Sequence, residues 1–161
     1  MTTPTLAALD ESGVGYRTIR HGRVRSLREA ADARGVAPAD VVKTIVLRRG
    51  AGDYLFVLVP GERVISWPRL RTLLGVNRLS MPDAGLAREV TGYERGTITP
   101  FGSRIPLPVI ADERLRGRTI TLGAGEHGLA VALPADEVIA TLDATVADVT
   151  DPEPEAPAAE R

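Results

Sequence analysis

The segment 40-DVVKTIVLRRGAGDYLFVLVPG-61 decides how this chain folds. Residues 41–47 are rich in β-branched side chains and predict a buried strand. Residues 53–60 form a second apolar run, and the glycine-containing turn between the two runs predicts a hairpin. Alternation along the first strand places Lys43 on one face, among aliphatic neighbours, and Thr44 on the opposite face.

Lys43 stands out because it is the single lysine of a chain that carries nineteen arginines. One interpretation is structural: Lys43 lies near the start of its strand and extends its ammonium group into water. The other is functional: a compact point charge in a pocket faces an anionic or polar substrate group. Burial would lower the pKa of the amine, which also permits nucleophilic or Schiff-base chemistry. The residues alone leave both interpretations open.

The stretch 91-TGYERGTITPFG-102 concentrates glycines and a proline in one loop. A glycine lets main-chain N–H groups approach a ligand closely, and Pro100 restricts Thr99 to extended conformations. Such a loop can hold N–H donors toward a carbonyl oxygen, which is oxyanion-type stabilisation. The alternative is an ordered connection whose Tyr93, Ile98 and Phe101 side chains pack into the core.

A second glycine cluster, 123-GAGEHG-128, joins two predicted strands. It is either a plain hairpin loop or another wall of the pocket. Glu126 and His127 are an acid and a base by type, but adjacent residues on a strand point to opposite sides. His127 is therefore a candidate general base, with an exposed turn histidine as the alternative.

Composition narrows the class of protein. A chain of 161 residues with ordinary apolar content predicts one domain with a real core. The absence of cysteine, and the separation of the two histidines, predict neither a metal site nor a cofactor. No secretory signal or membrane span is evident, so a cytoplasmic protein without a membrane partner is expected.

The charge distribution excludes a globally basic coat for DNA or RNA, because the net charge is −1. Five arginines nevertheless cluster between residues 17 and 28. This arginine patch is either a solvated surface or a contact for the phosphates of an RNA end.

The remaining pattern predicts an α+β fold: a single domain with a mixed, largely antiparallel, curved sheet and surrounding helices. A capping box predicts a helix that starts after Ser26, and Ser66 and Asp83 are expected to cap two more. Residues 77–81 are expected to form a short strand, residues 105–112 an edge strand, and residues 144–150 a last strand. The domain is expected to cover residues 1–150, followed by a disordered Pro-, Glu- and Ala-rich tail at 151–161.

These pieces, in this order, resemble the YbaK/ProX family of aminoacyl-tRNA deacylases, which is related to the editing insertion of bacterial prolyl-tRNA synthetases. The resemblance runs from about Leu6 to Val149. It rests on "VVKTIVL", on the apolar strand ending in "VPG", on a GxxxP loop at Gly96–Pro100, and on "GAGEHGLAVAL".

The resemblance implies a free-standing trans-editing hydrolase that cleaves the ester between a mischarged amino acid and the terminal adenosine of tRNA. It implies catalytic roles for Lys43, Gly96 and Pro100 without metal or cofactor. The implied partners are the acceptor end of aminoacyl-tRNA and, as a second candidate, an aminoacyl-tRNA synthetase. The alternative is a non-catalytic module of the same fold that binds tRNA or a synthetase. The implied substrate-binding residues are His21, Thr44, Thr97, Ile98, Thr99, Gly125, His127 and Ala130.

Three of these positions depart from the patterns of members with known specificity. Cysteine-clearing members carry an Asp where this chain has Ala130, and a tyrosine where His21 falls. Alanine-clearing members carry an Asn where this chain has Thr44. Neither specificity therefore transfers, and the side chain of the amino acid stays open.

Overall fold

The hairpin predicted from residues 40–61 forms the centre of the structure, a computed structural model that describes residues 2–154. Strand β2 pairs antiparallel with β3 in continuous register from Val42 opposite Pro60 to Arg48 opposite Tyr54. The helices and strands follow in chain order: α1 (Pro4–Ser12), β1 (Arg17–Arg20), α2 (Leu27–Arg34), β2 (Val42–Gly50), β3 (Asp53–Pro60), β4 (Arg63–Ile65), α3 (Trp67–Leu74), α4 (Ala84–Thr91), β5 (Val109–Asp112), β6 (Thr119–Gly123), β7 (Leu129–Pro134), α5 (Ala135–Leu142), β8 (Thr145–Ala147) and β9 (Thr150–Pro152).

Three sheets are built from these strands. A four-stranded sheet has the order β2-β3-β5-β8, a three-stranded sheet the order β1-β7-β6, and β4 pairs with β9. Pairing is antiparallel except between β3 and β5 and between β5 and β8. A bridge between Val41 and Thr121 connects the two larger sheets. The predicted α+β domain with a mixed, largely antiparallel sheet is confirmed.

Strand β3 is buried on both faces, which explains why its sequence is an unbroken apolar run. Phe56 and Leu58 belong to a core shared with β6 and β7. Leu55, Val57 and Val59 belong to a second core that includes Leu70 of α3. The hairpin therefore lies between two apolar layers, and each removes one of its faces from water.

The predicted helix caps are confirmed at the three positions. The side chains of Ser26, Ser66 and Asp83 each accept a hydrogen bond from a main-chain N–H of the first turn that follows. The return bond of the predicted capping box is displaced by one residue. The Glu29 carboxylate accepts from the N–H of Arg25, the residue before the cap, instead of from the N–H of Ser26.

Three of the strand predictions were wrong in detail. Residues 77–81 contribute only a bridge between Ser80 and Arg48. The strand within residues 105–112 is not at an edge: β5 begins after Pro108 and lies between β3 and β8. The last strand is two strands, and β9 continues to Pro152 to pair with β4. The expected boundary at residue 150 thus falls inside β9, and residues 155–161 of the expected tail lie outside the described residues.

Within residues 2–154, no helix has both the length and the apolar composition needed to span a bilayer.

Candidate functional site

A cavity of about 580 Å³ opens beside the outer edge of β2. Every residue from Val41 to Val46 lines it, whichever face its side chain occupies, because β2 is the first strand of its sheet. The opposite wall is made by the start of α4 and by the glycine loop. Its lining residues beyond β2 are Arg34, Met81, Pro82, Asp83, Ala84, Ala87, Arg95, Gly96, Ile98 and Gly123.

The main chain of β2 presents polar groups to this cavity. Arg48 exchanges both main-chain hydrogen bonds with Ser80, so its N–H and C=O point away from β3. In an antiparallel pair this orientation alternates, and Thr44 and Val46 therefore also direct their N–H and C=O outward. The hydroxyl of Thr44 is buried and has no hydrogen-bond partner among the described residues. A ligand at this edge would meet donors and acceptors that have no partner within residues 2–154.

Lys43 does not simply extend into water. It is half-buried, and its Nζ donates a hydrogen bond to the main-chain oxygen of Arg63, 2.5 Å away. Burial lowers the pKa of the Lys43 ammonium, and the carboxylate of Glu153 offsets part of that effect. The single lysine of the sequence thus lies in the cavity wall and is partly buried.

The glycine loop is anchored from behind by two aromatic residues. Tyr93 and Phe101 are each only 3% exposed, and the Tyr93 hydroxyl donates to the main-chain oxygen of Phe101 over 2.6 Å. Thr5 of α1 in turn donates to the Tyr93 hydroxyl over 2.9 Å. The alternative that Tyr93 and Phe101 pack into the core is confirmed, and Ile98 is also partly buried against that core. The two buried aromatic side chains fix the loop at both ends.

Between those anchors, the loop turns its front toward the cavity. Gly96 adopts a φ of +87°, a conformation that side chains other than glycine rarely adopt. Gly96 and Ile98 both line the cavity, and their N–H groups donate to no oxygen of the described residues. The N–H of Thr97, in contrast, is paired: it and the Thr97 hydroxyl both donate to the main-chain oxygen of Glu94. Arg95 resembles Gly96 and Ile98, so the three loop residues that line the cavity all have an N–H without a partner within residues 2–154.

The two glycine clusters pack directly against each other. The N–H of Gly125 donates to the main-chain oxygen of Thr97 over 3.1 Å. A Cβ added at Gly125 would lie 2.8 Å from the Tyr93 ring and 2.9 Å from the Thr5 hydroxyl. Gly123 lies beside the main chain of Thr97 and Ile98 and also lines the cavity. The second cluster thus supports the first loop as well as joining β6 to β7.

Of the eleven predicted site residues, four line the cavity: Lys43, Thr44, Gly96 and Ile98. Three others, Thr97, Thr99 and Pro100, are buried in the same loop behind that surface, and the Thr99 hydroxyl has no partner among the described residues.

The last four predicted residues lie outside the cavity lining. Gly125 makes the loop contact described above. His127 is exposed near Gly96, with its Nε2 3.4 Å from a Glu94 carboxylate oxygen. The main-chain N–H of His21 donates to Gly128, and Ala130 is fully buried in β7 opposite Ile19.

Arg34 is a cavity residue that the sequence analysis missed. It is the last residue of α2, and its Nη1 donates to the hydroxyl of Thr121 over 3.0 Å. Its Nε is buried without a partner among the described residues, and burial lowers the pKa of its guanidinium. Its position in the helix could have identified it. Positions 27, 30, 31 and 34 form one helical face, and a charged residue at position 34 of that apolar face is unusual.

The described residues hold no group of three or more histidine, cysteine, aspartate or glutamate side chains placed to bind a metal ion.

Comparison with known proteins gives the site its context. The aminoacyl-tRNA editing domain family matches residues 21–141. A proline–tRNA ligase of Heliobacterium modesticaldum is 31% identical over 136 residues, which are 81% of this chain and 23% of that ligase. EbsC of Enterococcus faecalis, provisionally named a Cys-tRNA(Pro)/Cys-tRNA(Cys) deacylase, is 22% identical over 78% of this chain and 77% of its own.

Solved structures agree with this match. A crystal structure provisionally described as a trans-editing enzyme for prolyl tRNA synthetase superimposes with a TM-score of 0.85 at 27% identity. That alignment covers 92% of this chain and 95% of the other. The chain spans about a quarter of the ligase that it matches but nearly all of this separate protein. The family match covers well over half of the sequence, and the chain belongs to the aminoacyl-tRNA editing domain family.

Proposed function

We propose that this protein is a free-standing trans-editing hydrolase that removes the amino acid from mischarged tRNA. The observation that carries the proposal is the shared cavity, where the single lysine and the front of the GxxxP loop line one space. The match to a structure provisionally described as a trans-editing enzyme supports the proposal.

The proposed reaction is hydrolysis of the ester bond. A water molecule attacks the ester carbonyl carbon and forms a new C–O bond, and the bond from that carbon to the ribose oxygen then breaks. The proton lost by the water ends on the ribose oxygen, and a neighbouring ribose hydroxyl assists this transfer. No covalent bond to the protein is needed.

The groups at the cavity suit the charge that develops in this reaction. The carbonyl oxygen becomes negative in the tetrahedral intermediate, and the proposed donors to it are the N–H groups of Gly96 and Ile98, which donate to no oxygen of the described residues. The half-buried ammonium of Lys43 adds a positive charge where water screens it only partly. Pro100 contributes by holding the backbone of the loop rather than by contact with the ester.

The outward-facing edge of β2 is proposed to orient the amino acid. Thr44 presents its hydroxyl and its main-chain N–H and C=O next to Lys43. A protonated α-amine needs acceptors, and a hydroxylated or small side chain fits beside the Thr44 hydroxyl. Discrimination at such a pocket amounts to about 1–3 kcal/mol for each methylene or hydroxyl.

The test is turnover on a panel of charged tRNAs. Purified protein is mixed with tRNAs that carry radiolabelled alanine, serine, threonine, cysteine or proline, and the released amino acid is measured. We expect repeated turnover on at least one mischarged tRNA. Measurable tRNA binding without release from any member of a full aminoacyl panel would favour the alternative, a non-catalytic module.

A further inference from the structure

Arg34 carries a partly buried positive charge for which the described structure provides no acidic partner. Five other arginines form ion pairs with carboxylates: Arg49, Arg69, Arg88, Arg114 and Arg118. Within residues 2–154, Arg34 has only the neutral hydroxyl of Thr121, and its Nε is sealed from solvent without an acceptor. A partly buried guanidinium with unused donors is costly, and an anion in the cavity that Arg34 lines would accept from those of its donors that remain accessible.

The charge of the cavity wall favours an anionic ligand. Arg34, Lys43 and Arg95 line the cavity, against one carboxylate, that of Asp83. The Asp83 carboxylate is already engaged, because it accepts from the N–H of Leu86 at the start of α4. The cations therefore outnumber the acids, and the acid present caps a helix.

We propose that Arg34 binds a phosphate of the RNA end that carries the ester, and so positions the terminal nucleotide. This inference rests on the proposed function. The 5′-phosphate of that nucleotide is attached to the same ribose as the ester. The ester and this phosphate are therefore one sugar apart in the same ligand, and Arg34 and the loop line the same cavity. The planar guanidinium suits phosphate oxygens because it donates two parallel hydrogen bonds.

Helix α2 connects this site to the arginine patch, residues 17–28. Arg17, Arg20, Arg23, Arg25 and Arg28 are all exposed, and none forms an ion pair within the described residues. Arg28 and Arg34 stand at opposite ends of α2, six residues or roughly 9 Å apart along its axis. A row of phosphates explains both the free surface arginines and the partly buried one. A single carboxylate on the amino acid would explain only Arg34.

The first experiment measures binding of small probes by titration calorimetry. Wild-type protein is expected to bind adenosine 5′-monophosphate more tightly than adenosine, and Arg34→Gln to lose this preference, with a drop of about 10- to 100-fold for the monophosphate. Arg116→Gln is the matched control: it removes the same charge from an exposed side chain outside the cavity. Arg34→Lys keeps the charge without the fork and is expected to fall between the two. Circular dichroism checks that each variant folds.

The second experiment uses deacylated tRNA and varies the salt concentration. Loss of one phosphate contact to a single strand should reduce the slope of log affinity against log salt by about 0.7 in Arg34→Gln, relative to Arg116→Gln. An unchanged slope together with unchanged monophosphate binding in a folded Arg34→Gln protein would overturn the inference.

Hydrolysis assays separate the other outcomes. If Arg34→Gln lost activity only on tRNA charged with aspartate or glutamate, the anion would be the side-chain carboxylate, and the phosphate assignment would be wrong. Arg34-dependent phosphate binding in a protein that hydrolyses no aminoacyl-tRNA would leave this inference standing and sink the proposed function. If Arg34→Gln changed neither the rate of hydrolysis nor the binding of phosphate, this inference would be wrong and the proposed function would stand.

Discussion

Tyr93→Phe tests whether the loop at the cavity is held from behind. The substitution removes the hydroxyl of a side chain that is only 3% exposed. This hydroxyl donates to the main-chain oxygen of Phe101 over 2.6 Å and accepts from the Thr5 hydroxyl over 2.9 Å. Two buried polar groups lose their partner, and each stranded group costs about 1–3 kcal/mol. We therefore expect a loss of about 2–6 kcal/mol in the free energy of unfolding.

The assay is thermal and urea unfolding followed by circular dichroism. For a chain of this size, 1 kcal/mol shifts the midpoint by roughly 2–4 °C, so the predicted drop in Tm is about 4–24 °C. Hydrogen exchange should also become faster across residues 93–101, because the loop loses an anchor. The double variant Thr5→Val, Tyr93→Phe should recover part of the loss, since it removes one of the two stranded groups.

The matched control is Tyr16→Phe, whose hydroxyl donates to Asp10 at the surface. Water replaces the lost partner there, and the midpoint should not change. If Tyr93→Phe unfolded at the wild-type midpoint with unchanged exchange in the loop, the anchoring argument would be refuted.

Three further predictions concern one residue of the scaffold and two of the site. Gly61→Ala should lose at least about 3 kcal/mol in a denaturant titration, since its Cβ would lie 1.9 Å from the oxygen of Pro38, whereas Gly50→Ala meets no atom within 4 Å and should lose far less. Thr44→Val should leave stability equal or raise it by about 1 kcal/mol, because it deletes an unpaired buried hydroxyl, while KM rises; a wild-type KM would remove Thr44 from the proposed pocket. Burial lowers the pKa of Lys43, so its charge is lost as pH rises through a value below 10.5, and background-corrected deacylation should decline from below that pH. A rate that keeps rising past pH 10.5 would contradict a role for the ammonium form.

The local parts of the fold could be predicted because their signals are local. The hairpin at residues 40–61 follows from two β-branched runs and the turn between them. The caps at Ser26, Ser66 and Asp83 depend on one side chain and the three residues that follow it. Such features are decided within one or two turns of chain.

The parts that failed depend on distant partners. Pro106 and Pro108 indicated an edge strand. Both residues precede β5, however, and β5 lies between β3 and β8 in its sheet. Residues 144–150 carry no mark of the break that separates β8 from β9. That break is held by Asp112, whose buried carboxylate accepts from the N–H of Val149 and the hydroxyl of Thr150. A contact across 37 residues leaves no local pattern.

The residues of the site also differ in whether their signals in the sequence are local. Lys43 could be singled out by its rarity, and Gly96 by its spacing to Pro100. Arg34 was harder, because its role depends on contact with Thr121, 87 residues away. The placement of Ala130 and His21 outside the cavity lining also depends on the pairing of β1 with β7.

The most direct test of the central claim is single-turnover hydrolysis by Lys43→Ala on the mischarged tRNA that the wild-type protein deacylates fastest. We expect a fall in rate of about 100-fold or more, since the loss of a group that stabilises a developing oxyanion costs roughly 3 kcal/mol. Binding of the uncharged tRNA should be retained. Full wild-type deacylation of every accepted aminoacyl-tRNA by a folded Lys43→Ala protein would contradict the account.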